Sequence, residues 1–290
     1  MKKSKVMLFG AMALTAGLAL AACGSSQSSN ADKTYSYIFV SNPDTLDYIT
    51  STRDSTSSIT TNLVDGLLEN DQYGNLIPSM AESWTVSKDG LTYTYKIRQG
   101  AKWYTSEGEE YADVTAHDFV TGLKYAADKK AENLYLVQDS IKGLADYVEG
   151  KSSDFGTVGV KAVDDYTLQY TLNQPETYWN SKTTASILSP VNEAFLKSKG
   201  DDFGSVTPSS ILSNGPYLFK SFTSKSLIEF DKNPNYWDKD NVKIEKVKLS
   251  FFDGSDQDSI TRGFLEGNYT DGRIFPTSSV FAELKKGNED

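Results

Sequence analysis

The chain has 290 residues, with 29 Lys and Arg against 39 Asp and Glu, a formal net charge of −10 at pH 7. So acidic a chain, carrying no basic stripe, repels phosphate backbones, and nucleic acid is excluded as an expected partner. One histidine and one cysteine cannot furnish a zinc site built from several His or Cys ligands, whereas 17 Tyr and 14 Phe suit packed cores and ligand clefts alike.

The first residues read as a targeting signal. Lys2, Lys3 and Lys5 precede an unbroken apolar or small stretch over 6–20, followed by Leu20-Ala21-Ala22-Cys23-Gly24. A secretory signal has this order of positive start, apolar core and small residues before the cut. The stretch is shorter than the ~20 residues that cross a hydrocarbon core. Residues 1–22 are therefore expected to be a signal peptide and the rest extracytoplasmic. Cys23 stands alone in what would be an oxidising compartment, which asks for a reason. Leu-Ala-Ala-Cys resembles the bacterial lipobox, which implies that Cys23 is diacylated, with palmitate-type chains, and becomes the first residue. The alternative is an unremarkable small residue within the signal. Two acyl chains anchor stably because each buried methylene contributes roughly 0.8 kcal/mol. The expected place is the outer face of the cell membrane, with the bilayer as a partner. Residues 24–33 are small and polar, so 23–33 reads as a flexible tether. Losing the three signal lysines takes the formal charge from −10 to −13.

Residues 35–40 are aromatic and β-branched, suiting a buried strand. From Thr56, Ile59, Leu63 and Leu67 recur every four residues behind Ser and Thr able to cap, which predicts a helix. Asp71 to Gly74 reads as a turn. Two stretches, 91–97 and 166–172, alternate apolar and polar residues with period two, as strands with one dry face do. Each follows a polar turn, and 85–86 and 158–163 are their expected hairpin partners. Thr115 and Asp118 have capping-box spacing, with Phe119, Leu123 and Ala126 on one helix face behind them. Residues 217–222, 227–230 and 247–251 are strand-like, and Val280, Phe281 and Leu284 form a last helical pattern. Strand and helix runs intermix without a strict βαβ rhythm, which predicts a mixed α/β chain.

Catalytic chemistry is poorly supplied. His117, in a predicted first helical turn, would have to serve any triad alone. The pairs Glu109-Glu110, Asp164-Asp165 and Asp201-Asp202 sit in turn-like contexts, where solvated loops outweigh acid/base pairs. An enzyme and a cofactor are not expected.

Ala81-Glu82-Ser83-Trp84, Ser87-Lys88-Asp89-Gly90, Tyr93-Thr94-Tyr95, Ile97-Arg98, Gly100 and Lys102-Trp103 together resemble the signature of family-five bacterial extracellular solute-binding proteins. Thr115-Ala116-His117-Asp118-Phe119, Asn214-Gly215-Pro216-Tyr217 and Asn233-Pro234-Asn235-Tyr236-Trp237-Asp238 are similar to further family motifs, in the same order. A departure is Trp103-Tyr104-Thr105-Ser106-Glu107-Gly108, which lengthens the family's Trp-x-Asp-Gly. The resemblance implies a periplasmic-binding-protein type II-like fold. Lobe I would comprise 34–62 and 175–290, an inserted lobe II would comprise 63–174, and a third lobe would be missing. It further implies a monomeric binder of oligopeptides that delivers them to a membrane-embedded ABC permease. Thr52, Arg53 and Asp54, then Tyr135, then Arg273 and Phe275 would face the peptide. The rival readings are a same-fold binder of a dipeptide, nickel chelate or oligosaccharide, and a surface adhesin or signalling-peptide receptor.

Overall fold

The computed structural model describes residues 33–272, 279–281 and 285. The expected signal, Cys23, Arg273, Phe275 and Leu284 lie outside the described residues. The strands are β1 (Thr34–Phe39), β2 (Leu68–Asn70), β3 (Leu76–Pro78), β4 (Ala81–Val86), β5 (Thr92–Ile97), β6 (Lys102–Tyr104), β7 (Glu110–Asp113), β8 (Val160–Asp164), β9 (Thr167–Thr171), β10 (Tyr217–Thr223), β11 (Leu227–Lys232) and β12 (Lys246–Phe251). They form a sheet in the order β1-β12-β11-β10, a second in the order β4-β5-β9-β8, and the ribbons β2-β3 and β6-β7. The chain is mixed α/β, as its intermixed elements predict.

The two period-two stretches become β5 and β9, paired antiparallel with Tyr93 opposite Tyr170 and Tyr95 opposite Leu168. Their alternation holds on the dry face: Tyr93, Tyr95, Ile97, Leu168 and Tyr170 are all buried. Trp179 closes over them, 5.3 Å from Tyr170 and 6.2 Å from Tyr93 between ring centroids. Tyr95 and Tyr170 meet edge-on at 6.3 Å. Such pairs contribute about 0.5–1.5 kcal/mol beyond the area they bury. Two of the three tyrosine hydroxyls are carried to acceptors, Tyr93 to the Glu176 carbonyl and Tyr95 to Asn180 Oδ1, each at 2.7 Å.

Helix α2 (Ala116–Lys129) starts where the capping box places it. The Thr115 amide donates to Asp118 Oδ2 at 2.8 Å, and Trp103 Nε1 donates to the same carboxylate at 3.1 Å. Burial pushes the Asp118 carboxyl up to about 6, against the pull of these two donors. Phe119, Leu123 and Ala126 are fully buried. The helix can seat so deeply because position 122 lacks a side chain: a Cβ there would lie 2.2 Å from the Ser189 carbonyl oxygen.

Two expectations need correction. The helix from Thr56 through Leu67 is cut short: α1 covers Asp54–Thr60, with Arg53 as its N-cap and no side-chain cap. The Leu63 carbonyl, which would accept from the Leu67 amide in a continuing helix, instead accepts from the Ser213 hydroxyl at 2.7 Å and the Gly215 and Asn214 amides at 2.9 and 3.1 Å. Leu63 and Leu67 remain fully buried, but Leu63 lies in a turn, its amide donating to the Thr60 carbonyl at 3.0 Å, and Leu67 lies beyond that turn, outside any helix. The strand at 35–40 ends at Phe39 and is half-buried throughout, because β1 is the margin of its sheet.

The connection after α1 is held by one buried carboxylate. Asp65 Oδ2 accepts from the Tyr236 hydroxyl at 2.7 Å and Trp237 Nε1 at 3.2 Å. The Asp65 amide donates to Asn214 Oδ1 at 2.8 Å. The Arg98 guanidinium lies 3.6 Å above the Trp237 ring and donates twice to the Ser79 carbonyl. Asn233, fully buried, donates to the Gly215 carbonyl at 3.2 Å. The motif residues at 98, 214–217 and 233–237 thus converge on one junction between the segment following α1 and the loop following β11. Burial raises the Asp65 carboxyl to about 6, outweighing the Tyr236 and Trp237 donors and the nearby Arg98 charge.

Asp65→Ala leaves the buried Tyr236 hydroxyl and the half-buried Trp237 indole without their acceptor and is expected to destabilise the chain by about 2–4 kcal/mol, measured by urea denaturation. Because the folded Asp65 pKa lies above the unfolded one, its stabilising protonation is complete below about pH 4 and lost as pH rises through about 6. Wild-type stability should therefore fall over that window relative to Asp65→Asn, and parallel pH profiles would contradict the assignment. Gly122→Ala should cost about 1–3 kcal/mol by forcing α2 off the Ser189 backbone; an unchanged melting temperature would show that the helix can shift freely.

Candidate ligand-binding surface

Two of the three segments expected to face a ligand are described, and they come together. Residues 52–54 form the entry to α1. Arg53 has an extended backbone, and its carbonyl accepts from the Thr56 and Ser57 amides, both at 3.0 Å. The Arg53 amide donates back to Ser51 Oγ at 3.3 Å, and Ser51 in turn donates to Thr56 Oγ1 at 3.0 Å. This local network leaves the side chains of Arg53 and Asp54 in solvent. Arg53 Nε lies 3.9 Å from Asp44 Oδ2, a loose pair between exposed groups that contributes little to stability.

The second segment is a 3₁₀ turn, Glu132–Leu136. It follows α2 because Lys130 takes a left-handed backbone (φ 53°) that ends the helix. Asn133 and Leu134 are buried and pin the turn, and Tyr135 between buried neighbours and Leu136 is thrown outward, 76% exposed. A large aromatic so exposed on a pinned turn is poorly explained by packing. Thr52 Oγ1 donates to Glu132 Oε2 at 3.4 Å, so residues 80 apart in sequence meet on this surface. Glu132 was not foreseen, since nothing in its neighbourhood marks it as a partner of Thr52. Arg273 and Phe275 lie outside the described residues.

At the other end of α1 a cleft of about 330 Å³ is lined by Thr60, Thr61, Asp65, Glu69, Ser186 and Ser189, among others. Partial desolvation by the cleft wall, followed by the negative charges of Asp65 and Asp238, raises the Glu69 carboxyl to about 7, although the residue as a whole is exposed. The cleft is the visible side of the Asp65 junction.

The residues weighed for catalysis have structural explanations. His117 Nε2 sits 3.3 Å from Asp165 Oδ1, with both side chains mostly in solvent. Glu110 pairs with Lys102 at 2.8 Å, and Asp164 Oδ1 accepts from the Tyr166 amide at 2.9 Å in the turn before β9. Among the described residues no cluster of three or more His, Cys, Asp or Glu could hold a metal ion, and no helix is long and apolar enough to cross a membrane.

Comparison with known proteins agrees with this architecture. The family described as "Bacterial extracellular solute-binding proteins, family 5 Middle" matches residues 75–290. The oligopeptide-binding protein AliB of Streptococcus pneumoniae is 63% identical over 284 residues, 98% of this chain and 43% of AliB. The oligopeptide-binding protein SarA of Streptococcus gordonii is 60% identical over 298 residues, 100% of this chain and 45% of SarA. Among solved structures, Listeria monocytogenes OppA bound to peptide superposes with a TM-score of 0.77 at 29% identity, over 89% of this chain and 49% of that one. The chain thus spans less than half the length of these relatives. Their family is one of solute-binding proteins and not of enzymes, and the chain belongs to it: it is a family 5 bacterial extracellular solute-binding protein.

Proposed function

We propose that this chain binds oligopeptides outside the cell, held to the membrane by a lipid on Cys23, and hands them to an ABC importer. The observation that carries the reading is the pinned turn that holds Tyr135 in solvent beside the 52–54 loop, joined through Thr52 and Glu132. Support comes from relatives named as oligopeptide-binding proteins and from the peptide-bound Listeria structure.

A surface that accepts many sequences cannot draw its affinity from side-chain readout. An extended ligand offers its main chain instead, in the manner of an added strand, with water bridging the remaining polar groups. Tyr135 supplies an amphipathic face against which such a ligand lies. Thr52 and the free groups around Arg53 and Asp54 supply polar contacts. In this reading residues 34–62 and 175–290 form one lobe, 63–174 an inserted second lobe, and delivery depends on the permease recognising the loaded form.

The reading is tested by titrating a pool of synthetic random nonapeptides into the chain, followed by amide exchange. Protection is expected at 52–54 and 132–136, and Tyr135→Ala should weaken binding by about 1–2 kcal/mol with an unchanged melting temperature, since the ring is exposed. Absence of any peptide-induced protection would refute peptide binding at this surface. Cys23→Ser should move the protein from the membrane fraction to the soluble fraction of the bacterium that makes it; retention in the membrane would refute the lipid anchor.

A further inference from the structure

The 52–54 loop belongs to a longer segment that closes on itself. Thr56 Oγ1 donates to the Thr45 carbonyl at 2.7 Å, and the Ser51 amide donates to the Asp47 carbonyl at 3.0 Å. Asp47, 7% exposed, is the hub of this segment. Its Oδ1 accepts from the Ile49 and Thr50 amides at 3.1 and 3.2 Å, and its Oδ2 from the Thr50 hydroxyl at 2.6 Å. A turn built on an aspartate in this way fixes its own shape. Its place relative to the rest of the chain needs an outside anchor.

That anchor comes from α2. Asp47 Oδ2 also accepts from the Tyr125 hydroxyl at 2.9 Å, across 78 positions of sequence. Tyr125 directly precedes Ala126, whose carbonyl accepts from the Ala131 amide at 3.0 Å where the helix gives way to the 132–136 turn. The Tyr125 ring stands edge-on to Phe203 at 5.5 Å, so packing fixes the direction of its hydroxyl. On the opposite side the Gly204 carbonyl accepts from the Leu46 amide at 2.6 Å and the Thr45 hydroxyl at 2.8 Å. A Cβ at position 204 would collide with the Asp47 backbone, so this loop lies close enough to shelter the carboxylate from water. A hydrogen bond to a sheltered carboxylate is a strong one. Among the described residues, the hydrogen bonds that join 44–57 to α2 and its turn are this bond and the longer Thr52–Glu132 contact at 3.4 Å.

We propose that Asp47 and Tyr125 are positioning residues: their hydrogen bond holds the 52–54 loop in place against the 132–136 turn. The pair sets peptide affinity through that placement, with neither side chain as a ligand contact. The inference rests on the peptide-binding reading of this surface. Without the tie the loop samples other positions, and a peptide must order it on binding, which lowers affinity.

The test compares Tyr125→Phe, Asp47→Ala, their combination and Asp47→Asn in the full chain. Tyr125→Phe removes one hydroxyl and keeps the ring on Phe203. In the free variant, amide exchange at 49–51 should quicken about tenfold while β5 and β9 keep their rates. Affinity for the random nonapeptide pool should fall about tenfold as well. Adding Tyr125→Phe to Asp47→Ala should change neither quantity further, because the partner is already gone. Asp47→Asn keeps an oxygen for the two amides and N–H groups for the hydroxyl oxygens, so it should stay within about threefold of wild type in both. Unchanged exchange at 49–51 in Tyr125→Phe, exchange quickened equally in β5 and β9, or additive effects of the two substitutions would each overturn the proposal. So would a loosened loop with undiminished peptide affinity. A wild-type chain that binds no peptide would refute the underlying reading and the affinity role with it. Exchange in the free variants needs no peptide, and it distinguishes that failure from the absence of the tie.

Discussion

A single carboxylate sets the course of the chain where its parts meet. Asp65 is buried, accepts from Tyr236 and Trp237, and presents its own amide to Asn214. Removing a carboxylate from water is unfavourable, and burial accordingly raises the Asp65 pKa. The donors around it offset the cost only in one arrangement, with Arg98 stacked on Trp237 and the Leu63 carbonyl taken by Ser213, Asn214 and Gly215. The junction is for this reason a device of specificity more than of net stability. It requires α1 to stop at Thr60 and the chain to leave through a turn over 61–63.

The proposed ligand surface depends on that termination. Because α1 is short and anchored at its far end, its entry at 52–54 has a defined position against the turn that follows α2. The turn is defined from the other side by Asn133 and Leu134, which are buried, and by the left-handed Lys130. Two rigid supports thus hold two solvent-facing segments in contact through Thr52 and Glu132. This arrangement allows a surface to be preorganised with no need for its exposed side chains to pack.

Charge divides the molecule in a similar way. Some cations are paired locally, Lys102 with Glu110 and Asp113 and Lys197 with Glu193, and the acidic excess is spread over the surface. The edge strand β8 bears a lysine and a bulge, features by which proteins limit unwanted pairing.

Much of the local structure was legible in the residues themselves. The alternation in 91–97 and 166–172 identified β5 and β9 and their dry face, and Thr115 with Asp118 identified the start of α2, because neighbours two to four positions apart fix those patterns. The motif residues 98, 214–217 and 233–237 were visible as a resemblance, though their shared partner Asp65 was not. Tyr135 was visible only through the resemblance, and Glu132 not at all. By itself the sequence determined the periodicity of β5 and β9, the cap of α2 and the family. The tertiary structure alone decided where α1 ends, that β1 is half-covered, and which segments meet at the surface. Each of those outcomes depends on a donor or a wall supplied by residues 80 to 212 positions away, and no local pattern encodes such a partner.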